Sequence, residues 1–480
     1  DVIAAATTTN HDIEVTTANW NGDSSADVDG FRFSGTHTVG GDTRTIHDYE
    51  EIWVFGIASA TAATAMDGVD LAELETFMDN GGGVFATGDH NALGAFLSGN
   101  VKRVRSMRLW FDADGAPDGS DAASRMDTNV PNAAAGADFD LQSDSVPQHI
   151  YPKWYADGGM TLAHELLHRH DVDGTVTHLP DHPHEGRVVE PAALDPNEFP
   201  DGIAPEIVAW GVSGGPGTST KNPVTPELFG VIGAYDGHQA DVGRIVVEST
   251  WHHYVNINLN GTAAGALGGG VASDGLYEGG VPTPEYEQIQ QYFQNIAGWL
   301  EPNHIRICSI VIWFPCLRWG WPLVQEIDFR QAPTLGSLVA IGDSVVRSMK
   351  GLRGGTREDL VTLLTADIDL DEGIRTYLNP RWARSRKVDK RITPSSLVDR
   401  DRLANAIIGG AMWNLAQNLP DTEQESVEVV RQFLNLRGGR PDTSKMMAIL
   451  VKGAELGLKM VGAELGGRSS GVAALRKAFG

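Results

Sequence analysis

The chain has 480 residues, 41% of them hydrophobic and 21% charged, which is the composition of a globular protein of two or three domains and not of a disordered tail or a fibre. Its formal net charge of −26 is unevenly spread: residues 1–300 carry 12 Lys and Arg against 43 Asp and Glu, and residues 301–480 carry 25 against 20. The acidic part repels nucleic acid and anionic membrane and attracts cations, which excludes those two partner classes from the expected function.

No basic segment followed by an apolar run stands at the N-terminus, so no signal peptide is expected. A removed one stays compatible with a chain that starts at Asp1. Residues 1–8 (DVIAAATT) read as the end of a helix. A doubly wound sheet opens with a strand before such a helix, so a first strand is expected to be missing from the chain. Residues 12–17 (DIEVTT) read as a strand, 51–57 (EIWVFGI) as a buried strand and 84–87 (VFAT) as another. Between the last two, Leu71, Leu74, Phe77 and Met78 fall at helical spacing, and Gly81-Gly82-Gly83 is a stop signal. Strand, helix, glycine turn, strand is a βαβ unit and implies a parallel sheet covered on both faces. Further strands are expected at 175–179, 206–210, 229–234 and 244–248, and an amphipathic helix at 286–300 closes the domain.

Residues 303–333, rich in Trp and Pro, read as a connector. Its apolar run 305–324 is broken by Arg306, Pro315, Arg318 and Pro322, so no transmembrane helix is expected. The chain's 2 cysteines, Cys308 and Cys316, lie in this run; they are too few for a disulfide framework or a multi-cysteine zinc site and read as thiols of a cytoplasmic protein. Helical patterns follow at 335–352, 356–366, 401–419, 422–436 and 443–465. Thr356 with Asp359 and Thr422 with Glu425 resemble capping boxes. Arg384, Arg386, Lys387, Lys390 and Arg391 form a basic cluster, read as a loop face meeting the acidic part of the chain. The expected architecture is therefore an α/β domain over residues 1–302, flavodoxin-like with a doubly wound parallel sheet. A mainly α-helical domain over 334–480 follows and is expected to serve homo-oligomer contacts.

Four constellations could carry chemistry. The segment 81–90 is a short buried strand leading into the turn Gly88-Asp89-His90, and open α/β sheets bind ligands beyond the carboxyl ends of their strands. Asp89 is either a site residue or the cap of a helix at 91–97. A second strand ends in Trp251-His252-His253-Tyr254, where one imidazole is expected to act as base or ligand and the other to be structural, because side chains alternate along a strand. Third, Asp181, His182, His184 and Glu185 crowd a loop stiffened by Pro180 and Pro183, dense enough for metal coordination or substrate contact.

The fourth, His164-Glu165-Leu166-Leu167-His168, matches the zinc-peptidase pattern H-E-x-x-H, which needs a helix to put both histidines on one face. Gly158-Gly159 before it and Asp171-Val172-Asp173-Gly174 after it leave room for barely two turns. That last stretch and Asp112-Ala113-Asp114-Gly115 lack the closing glutamate of a calcium loop and read as turns. No nucleotide-binding fingerprint and no G-x-S-x-G elbow appears, so no nucleotide cofactor is expected.

The strand and elbow at 81–90, paired with the strand and histidines at 243–253, resembles the class I glutamine amidotransferase-like superfamily, closest to its ThuA-like branch and to uncharacterised bacterial relatives. The resemblance covers roughly residues 10–300. It implies a cysteine at the elbow and an activating histidine after the late strand. Here the elbow carries Asp89 and His90, and no cysteine lies in the first 300 residues, so thiolate attack on glutamine is excluded in that cleft. The histidine position matches His252 or His253, and the ThuA-like branch implies a carbohydrate-related substrate. It also makes His164-Glu165-Leu166-Leu167 a turn before the histidine-rich loop.

The expected activity is metal- or histidine-assisted hydrolysis or lysis of a small polar substrate. Asp89, His90, His252 and His253 are the catalytic candidates, Asp181, His184 and Glu185 the substrate contacts, and His90, His182 and His184 the ligands of a divalent ion such as zinc. Two alternatives are a catalytically silent binding or assembly protein and a zinc peptidase built on His164 and His168.

Overall fold

The computed structural model describes residues 13–20, 26–56, 65–88, 94–110, 147–157, 160–169, 174–180, 185–215, 224–261, 275–303, 318–319, 322–349, 357–365, 368–370, 372–378, 399–420, 422–434 and 444–466. Residues 1–8, the 112–115 turn, nearly all of 171–174, Cys308, Cys316, Thr356 and the basic cluster at 384–391 lie outside them. The chain forms two compact units, Asp1–Pro302 and Asn303–Gly480.

A six-stranded sheet organises the first unit. Its strands are β1 (Glu51–Gly56), β2 (Gly83–Gly88), β3 (Tyr151–Pro152), β4 (Glu206–Gly215), β5 (Val224–Tyr235) and β6 (Ile245–Glu248), in the order β1-β2-β6-β5-β4-β3. β1 runs parallel to β2 from Glu51 opposite Gly83 to Gly56 opposite Gly88, and β6 runs parallel to β2 with Val246 opposite Phe85. The β6-β5, β5-β4 and β4-β3 pairs are antiparallel. The sheet is thus mixed, not wholly parallel. The short links after β4 and β5 cannot hold the crossover that parallel neighbours require, whereas a helix fits between β1 and β2.

That helix, α1 (Gly68–Asp79), starts where the Asp67 carboxylate accepts from the N–H groups of Val69 and Asp70, both at 2.9 Å. It ends before Gly81, whose φ of +92° suits glycine. A second long helix, α2 (Pro284–Leu300), has Thr283 as its cap and Pro284 in its first turn.

The two helices pack with opposite faces of the sheet, and strand alternation decides which residue goes where. Val54, Val84, Ala86, Ile245 and Val247 share a core with Leu74, Phe77 and Met78 of α1. Phe85, Val246, Val208 and Val231 share one with Ile289, Phe293 and Ile296 of α2. Burial of this apolar area at roughly 25 cal/mol per Å² is the main force holding the layers. Residues 13–17, expected as part of a strand, form no ladder; the strand that follows is Ala18–Asn19, paired with Val28–Asp29. Asp27 wins Thr17 instead, accepting from its N–H at 2.8 Å and its hydroxyl at 2.7 Å.

The second unit is helical: α3 (Leu335–Met349), α4 (Arg357–Thr365), α5 (Glu372–Leu378), α6 (Arg400–Gln417), α7 (Glu423–Leu434) and α8 (Ser444–Gly466). α6 is its centre, buried nearly all round, because glycines let neighbouring backbones approach: a Cβ on Gly409 would overlap the Leu338 carbonyl of α3, and one on Gly410 the Gly453 carbonyl of α8. Thr422 caps α7: its hydroxyl accepts from the Glu425 N–H at 3.4 Å and donates to the Glu425 carboxylate at 2.7 Å. Among the described residues no helix is long and apolar enough to cross a membrane.

Candidate active site

The carboxyl ends of β1, β2 and β6 lie side by side, and those of β1 and β2 meet Gly94 on bare backbone. A Cβ on Gly56 would overlap Gly94 Cα, and Gly94, with φ +86°, lies where its own Cβ would meet Gly88 Cα at 3.0 Å. Gly94 caps the helix Ala95–Ser98. Asp89 and His90 themselves lie outside the described residues, as do Asp181, His182 and His184.

Arg108 ties these strand ends. Its buried guanidinium donates through Nη2 to the Gly88 carbonyl at 3.1 Å and the Ser249 carbonyl at 2.8 Å, with Trp110 beneath it at 4.3 Å. The Ser249 hydroxyl donates to Glu185 Oε2 at 2.6 Å, and the Gly186 N–H donates to the Ser249 carbonyl at 2.7 Å. Glu185 is thus a fully buried carboxylate fixed from β6's end.

After β6 the chain turns in a 3-10 helix, Trp251–Tyr254, whose cap Thr250 accepts from the His252 N–H at 3.2 Å. The turn carries His253 back over its own strand, where Nδ1 lies 2.9 Å from Glu248 Oε2, both residues fully buried. Its Nε2 lies 3.3 Å from Gln148 Oε1. Both ring nitrogens therefore face oxygen, the arrangement of an imidazolium held between a carboxylate and an amide carbonyl. Turning the Gln148 amide over would bring its Nε2 onto a neutral ring instead. Burial, and next the Glu248 carboxylate, push the Tyr254 and Tyr292 hydroxyls well above the usual phenol range, so both stay protonated beside it. His252 is half-exposed and stacks on Trp251 with ring centres 4.1 Å apart. His253 is thus locked in the interior, and His252 is partly open to solvent.

The H-E-x-x-H segment does not form the helix that its zinc reading requires. Glu165–Leu167 is one 3-10 turn with His164 as its cap, and His168 already stands in extended backbone. His164 Nδ1 accepts from the Leu166 N–H at 3.2 Å, and His168 Nε2 donates to the Ala163 carbonyl at 2.9 Å, so each ring serves the turn itself. Among the described residues no three His, Cys, Asp or Glu side chains converge as a metal cage.

Searches against family models, curated proteins and solved structures return no match for this chain.

Proposed function

We propose that residues 1–302 form a flavodoxin-like domain related to the cysteine-less, ThuA-like class I amidotransferase branch, acting as a hydrolase or lyase on a small polar, carbohydrate-related substrate. The observation that supports this is the ionisable set at the carboxyl ends of two adjacent parallel strands: Arg108 on Gly88 and Ser249, Glu185 on Ser249, and His253 on Glu248. Apolar sheets gather such groups where they have a use, because each costs desolvation unless paired. In this reading His252 is the imidazole that takes or gives a proton at the substrate, with Asp89 and His90 as its proposed partners in the reaction. His253 and Glu248 are positioning residues that fix the turn carrying it. A divalent ion would take its ligands from His90, His182 and His184, and there it would polarise the substrate or activate water.

The test is turnover of a panel of sugar esters, lactones and amides by the full chain and by His252→Ala, His90→Ala and Asp89→Asn variants, together with metal analysis. Loss of turnover in His252→Ala and His90→Ala with unchanged circular dichroism is expected. Turnover equal to the parent protein's in both, or none on any substrate at any metal loading, sinks the proposal.

A further inference from the structure

His149 and His178 form a histidine pair not used in that proposal. His149 and His178 are direct partners across a short antiparallel ladder, which also sets Gln148 opposite Leu179. In the same ladder Ile150 donates to the Thr177 carbonyl at 2.8 Å, so Ile150 and Thr177 are the hydrogen-bonded pair. His149 and His178 are then the non-hydrogen-bonded pair, the closer of the two, with Cβ atoms about 4.5–5.5 Å apart and both side chains on one face. His149 is exposed and His178 half-buried, with ring centres 5.0 Å apart and ring planes at 87°.

From these residues we infer a surface site for one divalent cation of the imidazole-preferring kind, Zn²⁺ or Cu²⁺, bridged by His149 and His178. A metal–nitrogen bond of about 2.0–2.1 Å, plus roughly 1.1 Å from nitrogen to ring centre, puts two imidazoles on one tetrahedral ion with centres about 5 Å apart, the separation found here. The Thr177 hydroxyl lies 3.0 Å from His178 Nδ1, and Gln288 Oε1 of α2 accepts from the Thr177 N–H at 2.8 Å, the outer-shell support that metal-ligating histidines use. With Thr177 on Nδ1, Nε2 is the nitrogen that would face the ion. Glu285 supplies a negative field beside His178. Water completes the coordination. The excess of carboxylates in residues 1–300 concentrates cations at this surface. These two residues are not among the ligands proposed above, so the two proposals fail independently.

The experiment is calorimetric titration of the chelator-stripped full chain with Zn²⁺, repeated on His149→Ala, His149→Gln, His178→Ala and a variant with His90, His182 and His184 all changed to Ala. Circular dichroism checks the fold of each. The affinity of one equivalent is expected to fall at least about tenfold in each single variant and to persist in the triple variant, the direction required when one of two imidazole ligands is lost. The ring proton resonances of His149 and His178 are expected to move together on adding Zn²⁺. Unchanged affinity in folded His149→Ala or His149→Gln overturns the site, as do unmoved His149 and His178 resonances at saturation. Binding that disappears only in the triple variant overturns it as well, while supporting the metal at the cleft.

Discussion

Gly186→Ala is the sharpest test of how the strand ends are held. No strained dihedral requires glycine there, but a Cβ would lie 2.6 Å from Arg108 Cζ and 2.9 Å from its Nε, with the Nη2 nitrogen nearer still. The guanidinium is buried and holds two carbonyls, at 3.1 and 2.8 Å, so it cannot swing away without breaking them. Overpacking costs about 1–3 kcal/mol and a charged hydrogen bond about 1.5–3 kcal/mol, so partial loss of both gives about 2–4 kcal/mol of destabilisation. For a unit of this size that lowers a calorimetric midpoint by roughly 5 °C. In an Arg108→Ala background the same Gly186→Ala change should become nearly neutral, within about 0.5 kcal/mol, because its collision partner is gone. A single variant as stable as the parent, or an undiminished penalty without Arg108, would falsify the assignment of Arg108 as the tie.

Removing Glu248 as Glu248→Ala strands His253 in the interior and should destabilise the first unit by about 3–5 kcal/mol, read by calorimetry of the full chain; a change under about 0.5 kcal/mol would show that the pair holds nothing. Acid should destabilise this unit through its buried histidines. The pKa values of His168, His178 and His37 are all lowered from the usual 6.5, each chiefly by burial, so the unfolded chain binds more protons just below that pH. Stability therefore falls as pH drops from about 7 towards 5, and His168→Gln should flatten the melting-temperature profile in that window. An equally steep profile in the variant would remove His168 from the account.

The fold was legible where period and punctuation agreed. Leu74, Phe77 and Met78 at helical spacing before Gly81 become the buried face of α1, and Thr422 with Glu425 becomes a working cap. Strand direction was not legible. Whether Phe229 pairs parallel or antiparallel depends on which strand lies beside it, and a hydrophobic run reads the same either way. The strand expected at 12–17 failed because alternation is a weak signal when a side chain such as Asp27 offers the backbone a local partner.

The candidate site was legible only in its histidines. Arg108, Gln148, Glu248 and Tyr292 come from four distant parts of the chain, and no spacing announces that the fold will bring them together. One signal was available: a charged residue, Glu248, at the end of an otherwise apolar strand must find a partner inside or leave the sheet, and the next residues able to supply one were His252 and His253. Gln148 and His149 show what a period of two adds to this. As neighbours on one short strand they must point to opposite faces, so a chain that turns Gln148 inward to His253 necessarily turns His149 outward to His178. The same alternation that closes the interior of the candidate site therefore places the surface pair, and any substitution that slips this ladder by one residue disturbs both at once.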